Sequence, residues 1–461
     1  METQIQDIKV QNTYRNIIKL ALPVGISILI PQLSILTNTL FLGNYIPKEV
    51  HFSTQDFLAA SGIAGIYYLT LVMVGYGLVS GMLMLMSRKA GEGNPEGVGQ
   101  IFSSGVKLCF MLAAVLMSIS FFLAPWLFNH LIHAPHIRDA ATSFVKMRFW
   151  GLPFIMLCQL ANSLFLATSH SRKIILGSTV QTLVNIVLDY FLIFGIGFFP
   201  EMGLNGTALA SVVSEMAYLA VVLWQILKSG AFQSFAIRFF APPDWGLMKH
   251  IFLKSLPLIF QYLFSIGAWE FFFLYVEHIG KAESAVSQIL RSVFGIVGVA
   301  TWALASTCNS MVSNLIGQGA IDEVKPVIRK ILTVSFSFTV LAGLWMLISP
   351  VSFLSLMTSD LVLIETGRIS LRIVIFATWM LSISTICFSA VVGTGKTVVN
   401  LVFEFVAIIL YICYTYSVVE IFHLSLPYAW ASEFVYWLSL FIMSGLYLYS
   451  NRWKPAKAES E

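Results

Sequence analysis

The chain is dominated by long runs of apolar residues, each long enough to cross a lipid bilayer as a helix. A crossing needs about 20 such residues, and we count twelve runs, six in each half of the chain. The runs are continuous rather than alternating, unlike the strands of a membrane β-barrel. Only 11% of the residues are charged, too few to cover a soluble protein. The sequence therefore predicts an all-α integral membrane protein.

Short motifs recur in the same order in both halves. Leu22-Pro23 recurs as Leu256-Pro257, and Gly91-Glu92-Gly93 recurs as Gly317-Gln318-Gly319. Because each half holds an even number of spans, both halves have the same orientation, as in a parallel repeat about the membrane normal. We predict two pseudo-symmetric six-helix lobes that rock to give alternating access. The predicted parts are an N-lobe at 1–230, a cytoplasmic linker at 231–250 and a C-lobe at 251–461.

Lysine and arginine predict the orientation. Roughly seven in ten of them fall on the side that holds both termini, which makes that side cytoplasmic. The first apolar run is too long for a cleavable signal peptide, and no small-residue cleavage site follows it. We therefore expect a multi-pass protein of the cell (inner) membrane with both termini in the cytoplasm.

Charged groups inside the bilayer are costly and are therefore functional candidates. We find six within the predicted spans: Asp189, Glu215, Glu270, Arg291, Glu404 and Glu433. For Glu215, Glu404 and Glu433 a contact between helices is the favoured interpretation. No nucleophile–base pair is present. His130, His133 and His136 are spaced by three, but Pro135 interrupts the run in an outer loop, so the sequence predicts neither an enzyme nor a metal or other cofactor.

Asp189 lies on a polar stripe of the fifth span together with Gln181 and Asn185. Residues four apart share a helix face, so Asn185 can hydrogen-bond the carboxylate. Burial in an apolar cavity disfavours the charged form, which suits reversible protonation, and the same oxygens could hold Na⁺. The alternative is a protonated aspartate that only clamps helices. The predicted cation-coupling residues are Asp189, Asn185, Asn38 and Thr207.

Glu270 and Arg291 lie at similar depths in neighbouring spans, counted from the same membrane face. We hypothesise that they form an ion pair; the alternative is that each finds another partner or water. Together with polar residues of spans 1, 5 and 7 they form the predicted lining of a substrate cavity. Its members are Ser34, Gln181, Gln261, Ser265, Glu270 and Arg291.

The chain resembles the multidrug and toxic compound extrusion (MATE) family, which belongs to the superfamily that includes oligosaccharide-lipid flippases. The resemblance covers nearly the whole chain and is strongest in the fifth and sixth spans. It rests on Leu22-Pro23, Phe41-Leu42-Gly43, Gly81, Gly91-Glu92-Gly93, the run Leu183 to Asp189, Gly195, Gly203, Gly206 to Ser211, Ser287-Gln288 and Val392 to Gly395. It implies a V-shaped pair of lobes and efflux driven by inward H⁺ or Na⁺.

The resemblance also implies a cation site. In many relatives the N-lobe site combines an Asp in span 1 with an Asn and an Asp in span 5, and Asn185 and Asp189 match. Asn38 stands where those relatives have Asp. The site loses one negative charge, so H⁺ is expected over Na⁺. Other relatives use C-lobe acids, whose matching positions here are Ser265 and Ser384, so that site is expected to be absent.

The leading hypothesis is an antiporter that exports amphiphilic or cationic organic compounds in exchange for H⁺ or Na⁺. The alternative is a flippase for lipid-linked oligosaccharides or lipids, which Arg148 and Arg372 would suit as outer cationic positions. The expected partners are a small-molecule substrate, a coupling cation and the bilayer, with no nucleic acid. We expect a monomer.

Overall fold

The computed structural model describes residues 8–45 and 54–454, and within them every regular element is a helix. Twelve helices, labelled α1 to α12, are long and apolar enough to cross a membrane. In chain order they are Tyr14–Gly43, Asp56–Gly91, Pro95–Leu131, Pro135–Ala167, Arg172–Phe194, Leu204–Lys228, Trp245–Ile279, Lys281–Gly317, Ile321–Ile348, Leu361–Gly393, Thr397–Ile421 and Leu426–Tyr449. The predicted all-α multi-pass membrane fold is confirmed.

Several helices extend beyond the apolar runs that predict them. Apolar runs mark only the part that matches the hydrocarbon, whereas a helix continues through polar turns if its ends are capped. Asn94 caps α3 by accepting a hydrogen bond from the Gly97 amide (2.8 Å), and Pro95 occupies the first turn. The largest difference is in α4, predicted from Phe149 but beginning at Pro135. Arg148, which the sequence analysis assigned to an outer segment, therefore lies inside α4.

The middle of α4 contains a tightened turn. Residues Phe149–Gly151 form a 3₁₀ turn, and the α-helix resumes at Leu152. Pro153 has no amide hydrogen and its ring crowds the carbonyl four residues earlier, so the regular ladder breaks here. The turn brings the Arg148 side chain against Gly151, three residues later, where the backbone carries no side chain.

The described chain divides into two compact units. One comprises Ile26–Met86 and Asn94–Leu253; the other comprises 8–25, Ser87–Gly93 and 254–454. The second unit has an apolar core in which Phe272 packs edge-on against Trp430, with ring centroids 4.9 Å apart. The lobe boundaries predicted from the sequence stay a prediction.

The C-terminal ends of α2 and α8 cross in close contact, both within the second unit. A Cβ atom at Gly91 would collide with the carbonyl of Asn314, and one at Gly317 would collide with the carbonyl of Arg88. Gly91 and Gly317 are equivalent positions of the sequence repeat, and so are Arg88 and Asn314. The two contacts are therefore reciprocal. Beyond them, Gly93 (φ 69°) and Gly319 (φ 75°) end the helices in the left-handed conformation that favours glycine.

The segment after α6 lies along the start of α3, within the first unit. Gly99, Ser103 and Lys107 are spaced by four and form one stripe on α3. A side chain at Gly99 would collide with the Phe235 carbonyl. Ser103 Oγ accepts from the Arg238 amide (3.0 Å), and the Lys107 ammonium donates to the Ala241 carbonyl (2.7 Å). The stripe therefore binds the linker through its backbone.

Candidate functional site

Asp189 is fully buried in α5, on the face that carries the predicted polar stripe. Asn185 and Ser178 on the same face are also buried. A carboxyl group in such an environment needs hydrogen-bond donors, a proton or a cation, because an isolated buried charge is strongly disfavoured. The groups around Asp189 therefore determine what it can do.

Two amide groups and one carboxyl oxygen form the centre of the cluster. The amide orientations follow from their hydrogen-bond partners. Asn185 donates to Asp189 Oδ2 (3.2 Å) and to Ser34 Oγ (3.1 Å), and its oxygen accepts from the Ser211 amide (3.3 Å). Asn38 also donates to Asp189 Oδ2 and to the Ser34 carbonyl (3.2 Å). The structure thus brings together Asn38, Asn185 and Asp189, with Ser34 beside them.

The second carboxyl oxygen of Asp189 is different. Asp189 Oδ1 is buried and accepts no hydrogen bond from any residue in 8–45 or 54–454. An oxygen with lone pairs and no donor is costly in an apolar interior. A proton or a cation bound at this oxygen would satisfy it.

Two other predicted residues make different contacts. The Thr207 hydroxyl donates to the Leu204 carbonyl of its own helix (2.8 Å), which ties it to the first turn of α6. Gln181 is half-buried one turn before Asn185. The cluster around Asp189 is therefore built from α1 and α5, with Ser211 of α6 supporting Asn185.

A buried ion pair lies in the same unit. Arg148 donates from both terminal nitrogens to Glu215, at 2.6 and 3.0 Å, and its guanidinium lies over the Tyr68 ring at 4.1 Å. A side chain at Gly151 would collide with both members of the pair. Arg148 is also close enough to Asp189 for their charges to interact. The pair therefore adds fixed charges to the surroundings of Asp189.

Sequence reasoning missed this pair. The sequence predicts a contact between helices for Glu215, but it places Arg148 outside the membrane, because Arg148 precedes the apolar run of span 4. The available signal was local: a glycine and a proline follow Arg148 within five residues, which indicates a distorted turn with space for a large side chain.

In the second unit, the hypothesised pair of Glu270 and Arg291 is confirmed. Arg291 Nη2 donates to Glu270 Oε1 at 2.9 Å, and the guanidinium lies 4.7 Å from the Phe273 ring centroid. Both side chains keep about a quarter of their surface exposed. The pair is thus more accessible than that of Arg148 and Glu215, and its predicted cavity role remains a prediction.

Gln261 and Ser265 lie on one face of α7 and contact two other helices. Gln261 Oε1 accepts from the Asn400 amide of α11 at 2.7 Å. Ser265 Oγ lies 3.2 Å from the Tyr436 hydroxyl of α12, and that hydroxyl donates to Glu404 at 2.6 Å. These two predicted cavity residues therefore belong to a polar cluster around a buried glutamate.

The comparison with known proteins agrees with this architecture. The sequence profile of the MatE family matches the chain twice, over residues 23–191 and 257–417. The probable multidrug resistance protein NorM of Thermotoga maritima is 23% identical over 444 residues, covering 95% of this chain and 93% of that protein. The multidrug resistance protein MdtK of Yersinia enterocolitica is 22% identical over 319 residues, covering 68% of this chain and 66% of that protein.

Solved structures show the same fold. An outward-facing multidrug resistance MATE transporter of the MOP superfamily superposes with a TM-score of 0.86 at 17% identity, covering 98% of this chain and 99% of the other. A MOP superfamily transporter from Pyrococcus furiosus gives 0.85 at 17% identity, covering 97% of each chain. The predicted family is confirmed: the chain belongs to the MatE family of membrane transporters.

Proposed function

We propose that this transporter is a multidrug antiporter, which exports amphiphilic organic cations in exchange for H⁺ by alternating access. The names of the T. maritima and Y. enterocolitica relatives, both multidrug resistance proteins, support the substrate class. The coupling cation is assigned to the cluster of Asn38, Asn185 and Asp189.

One observation carries the coupling proposal. Asp189 Oδ2 is held by two amide donors, whereas the buried Oδ1 has no partner among the described residues. The carboxylate is therefore fixed in place with one oxygen free to take up a proton. Loading and release of that proton would change the charge of the cluster, which is what coupling to a conformational change requires.

The composition of the cluster favours H⁺ over Na⁺. Sodium is a hard cation that is held best by several oxygen ligands, carboxylates among them. Asp189 is the only acid of the cluster among the described residues. Glu215, the nearby second acid, is already neutralised by Arg148.

The electrostatics also favour export of cations over transfer of a pyrophosphate-linked lipid. A flippase for such a cargo needs unpaired cationic side chains to hold the phosphates. Arg148 is paired with Glu215, and Arg372 of α10 is exposed rather than buried in a pocket. The proposed setting is the bacterial inner membrane, with cytoplasmic termini and a monomeric transporter.

The test is dye efflux from everted vesicles under a pH gradient or a sodium gradient, imposed separately. Wild type is expected to respond to the pH gradient, and Asp189→Asn is expected to lose that response. Glu365→Gln is the matched control, because Glu365 is an acid with most of its side chain exposed. Sodium-driven efflux would overturn the choice of ion. Undiminished efflux in Asp189→Asn would overturn the assigned site.

A further inference from the structure

Another buried carboxyl group lies in the second unit. Glu404 of α11 is almost completely buried. Its Oε1 accepts a hydrogen bond from the Tyr436 hydroxyl at 2.6 Å. No lysine, arginine or histidine in the described ranges forms an ion pair with Glu404. A carboxyl group in this environment therefore lacks a fixed positive charge, unlike Glu215 and Glu270.

The groups facing Glu404 come from three helices. Tyr436 of α12 lies 3.2 Å from Ser265 Oγ of α7, so one hydroxyl bridges the carboxylate and the serine. The Tyr411 ring, also on α11, lies 5.6 Å from the Tyr436 ring. The nearest other acid of this cluster is Glu433, which Tyr411 contacts.

Asn400 provides the second observation. It lies four residues before Glu404 on the same face of α11 and is completely buried. Its Nδ2 donates to Gln261 Oε1 at 2.7 Å, which fixes the orientation of the amide. Its Oδ1 is buried and has no hydrogen-bond partner in the part of the chain that the structure describes. A carbonyl oxygen left unpaired one helical turn from a carboxyl group lacks a donor, which a proton on that carboxyl group or a bound cation would supply.

We propose that a small monovalent cation, H⁺ or Na⁺, binds between the Glu404 carboxylate and Asn400 Oδ1. A proton on Glu404 would create an O–H donor for which Asn400 Oδ1 is the acceptor. A sodium ion would instead use both oxygens as ligands. In either case one positive charge satisfies the carboxylate and the orphaned carbonyl together. The site is separate from Asp189 and does not depend on the coupling role proposed there.

Glu433, in the same unit, is a buried glutamate whose contacts explain a purely structural role. It is equally buried, but its two carboxylate oxygens accept from the Tyr411 hydroxyl and the Trp437 indole, each at 2.9 Å. Both oxygens are therefore satisfied by neutral donors. Glu433→Gln is a matched control for Glu404→Gln, because the two residues share burial, charge and a tyrosine partner.

The experiment measures cation binding to the purified full-length protein in detergent. In the proton arm, infrared spectra are recorded across a pH series in H₂O and D₂O, and the carbonyl band of a protonated carboxyl group is followed. In the sodium arm, equilibrium binding of radioactive sodium is measured at fixed pH. All variants are made in the Asp189→Asn background, so that the cluster in the first unit contributes nothing to either signal.

Beyond the titration of the exposed acids, we expect one further titrating carboxyl group or one bound sodium in the Asp189→Asn protein, retained in Glu433→Gln and lost in Glu404→Gln. Asn400→Ala leaves the carboxylate in place and is expected to weaken cation binding about tenfold, the loss of one hydrogen bond to a charged group. The arm that responds identifies the ion. An unchanged signal in Glu404→Gln in both arms overturns the site. Because binding is measured without transport, this outcome is distinct from failure of the dye-efflux test at Asp189.

Discussion

At the scale of single residues, the two arginine–glutamate pairs differ in what they contribute. The pair of Arg148 and Glu215 is buried and bidentate, with the guanidinium stacked on Tyr68. The pair of Glu270 and Arg291 has one hydrogen bond and stays partly exposed. Loss of one partner destabilises a buried pair far more than an exposed pair, because the charge that remains in the interior cannot be solvated.

Removing one member of the buried pair is therefore expected to destabilise the protein strongly. Arg148→Leu or Glu215→Leu alone should each lower the free energy of unfolding by about 3–5 kcal/mol. The double variant should lose less than either single variant, because no unpaired charge remains. The measurement is thermal unfolding of the purified variants in one detergent. A loss in the double variant equal to the sum of the two single losses would contradict the coupling of the two residues.

The partly exposed pair should behave differently. We expect Glu270→Gln to cost about 1 kcal/mol or less, as found for accessible ion pairs. The same thermal assay gives the ranking, with Glu215→Gln as the buried counterpart. A larger loss for Glu270→Gln than for Glu215→Gln would show that exposure does not control the strength of these pairs.

The sequence predicts the Asp189 cluster well but not the charges near it. Asn185 and Asp189 are four residues apart, so helix geometry alone places them on one face. The contact of Asn38 with Asp189 needed the family resemblance, since nothing local relates α1 to α5. The position of Arg148 inside α4 is not predicted, because a search for apolar windows excludes charged residues. A long side chain paired with Glu215 is nevertheless stable at that depth.

At the scale of elements, the linker is bound by a stripe of three residues on α3. Gly99 admits the backbone, while Ser103 and Lys107 hydrogen-bond it. The sequence predicts a linker here from its glycine, prolines and interleaved aromatic residues. It does not predict the docking, because the partners of Ser103 and Lys107 are backbone groups without a residue signature.

A methyl group at Gly99 is expected to displace the linker. Gly99→Ala should destabilise the protein by about 1–3 kcal/mol, the usual cost of overpacking. Gly62→Ala is the matched control, because a Cβ atom there meets nothing within 4 Å. Limited proteolysis of the segment after α6 reports the displacement directly. Equal resistance of the two variants to proteolysis would show that the close contact at Gly99 does not hold the linker.

At the scale of the whole molecule, the internal repeat is visible both in sequence and in contacts. The family profile matches the chain twice, beginning at Pro23 and at Pro257, the two prolines that the sequence analysis paired. The ends of α2 and α8 cross with equivalent glycines against equivalent carbonyls. Ser87 Oγ and Ser310 Oγ lie 2.8 Å apart at the same crossing.

The close backbone contact leaves no space for α2 and α8 to slide past each other. We therefore expect a disulfide between Ser87→Cys and Ser310→Cys to form readily and to leave dye efflux unchanged. The test compares oxidised and reduced vesicles in a background whose five native cysteines are replaced by alanine. Loss of efflux on oxidation, restored by reduction, would show that the helices move against each other here.

Twelve helices were predictable because the bilayer permits few alternatives for a spanning chain. The contacts of residues 8 and 10 with α8 were not predictable from the sequence. The Val10 amide donates to Asn314 Oδ1 (3.1 Å), and Asn314 Nδ2 donates to the Ile8 carbonyl (3.0 Å). These contacts join residues about 300 positions apart through single hydrogen bonds, which no hydropathy or periodicity pattern reports.

The reciprocal crossing of α2 and α8 has an evolutionary consequence. In a twofold homodimer each contact occurs twice, because residue i of one copy meets residue j of the other and the reverse. The contacts of Gly91 with Asn314 and of Gly317 with Arg88 have this form within one chain. A six-helix ancestor carrying the same glycine and carbonyl surface would pair with itself at this point. Gene fusion would then preserve the interface. A substitution of either glycine would be constrained by the carbonyl group that it contacts in the other half of the chain.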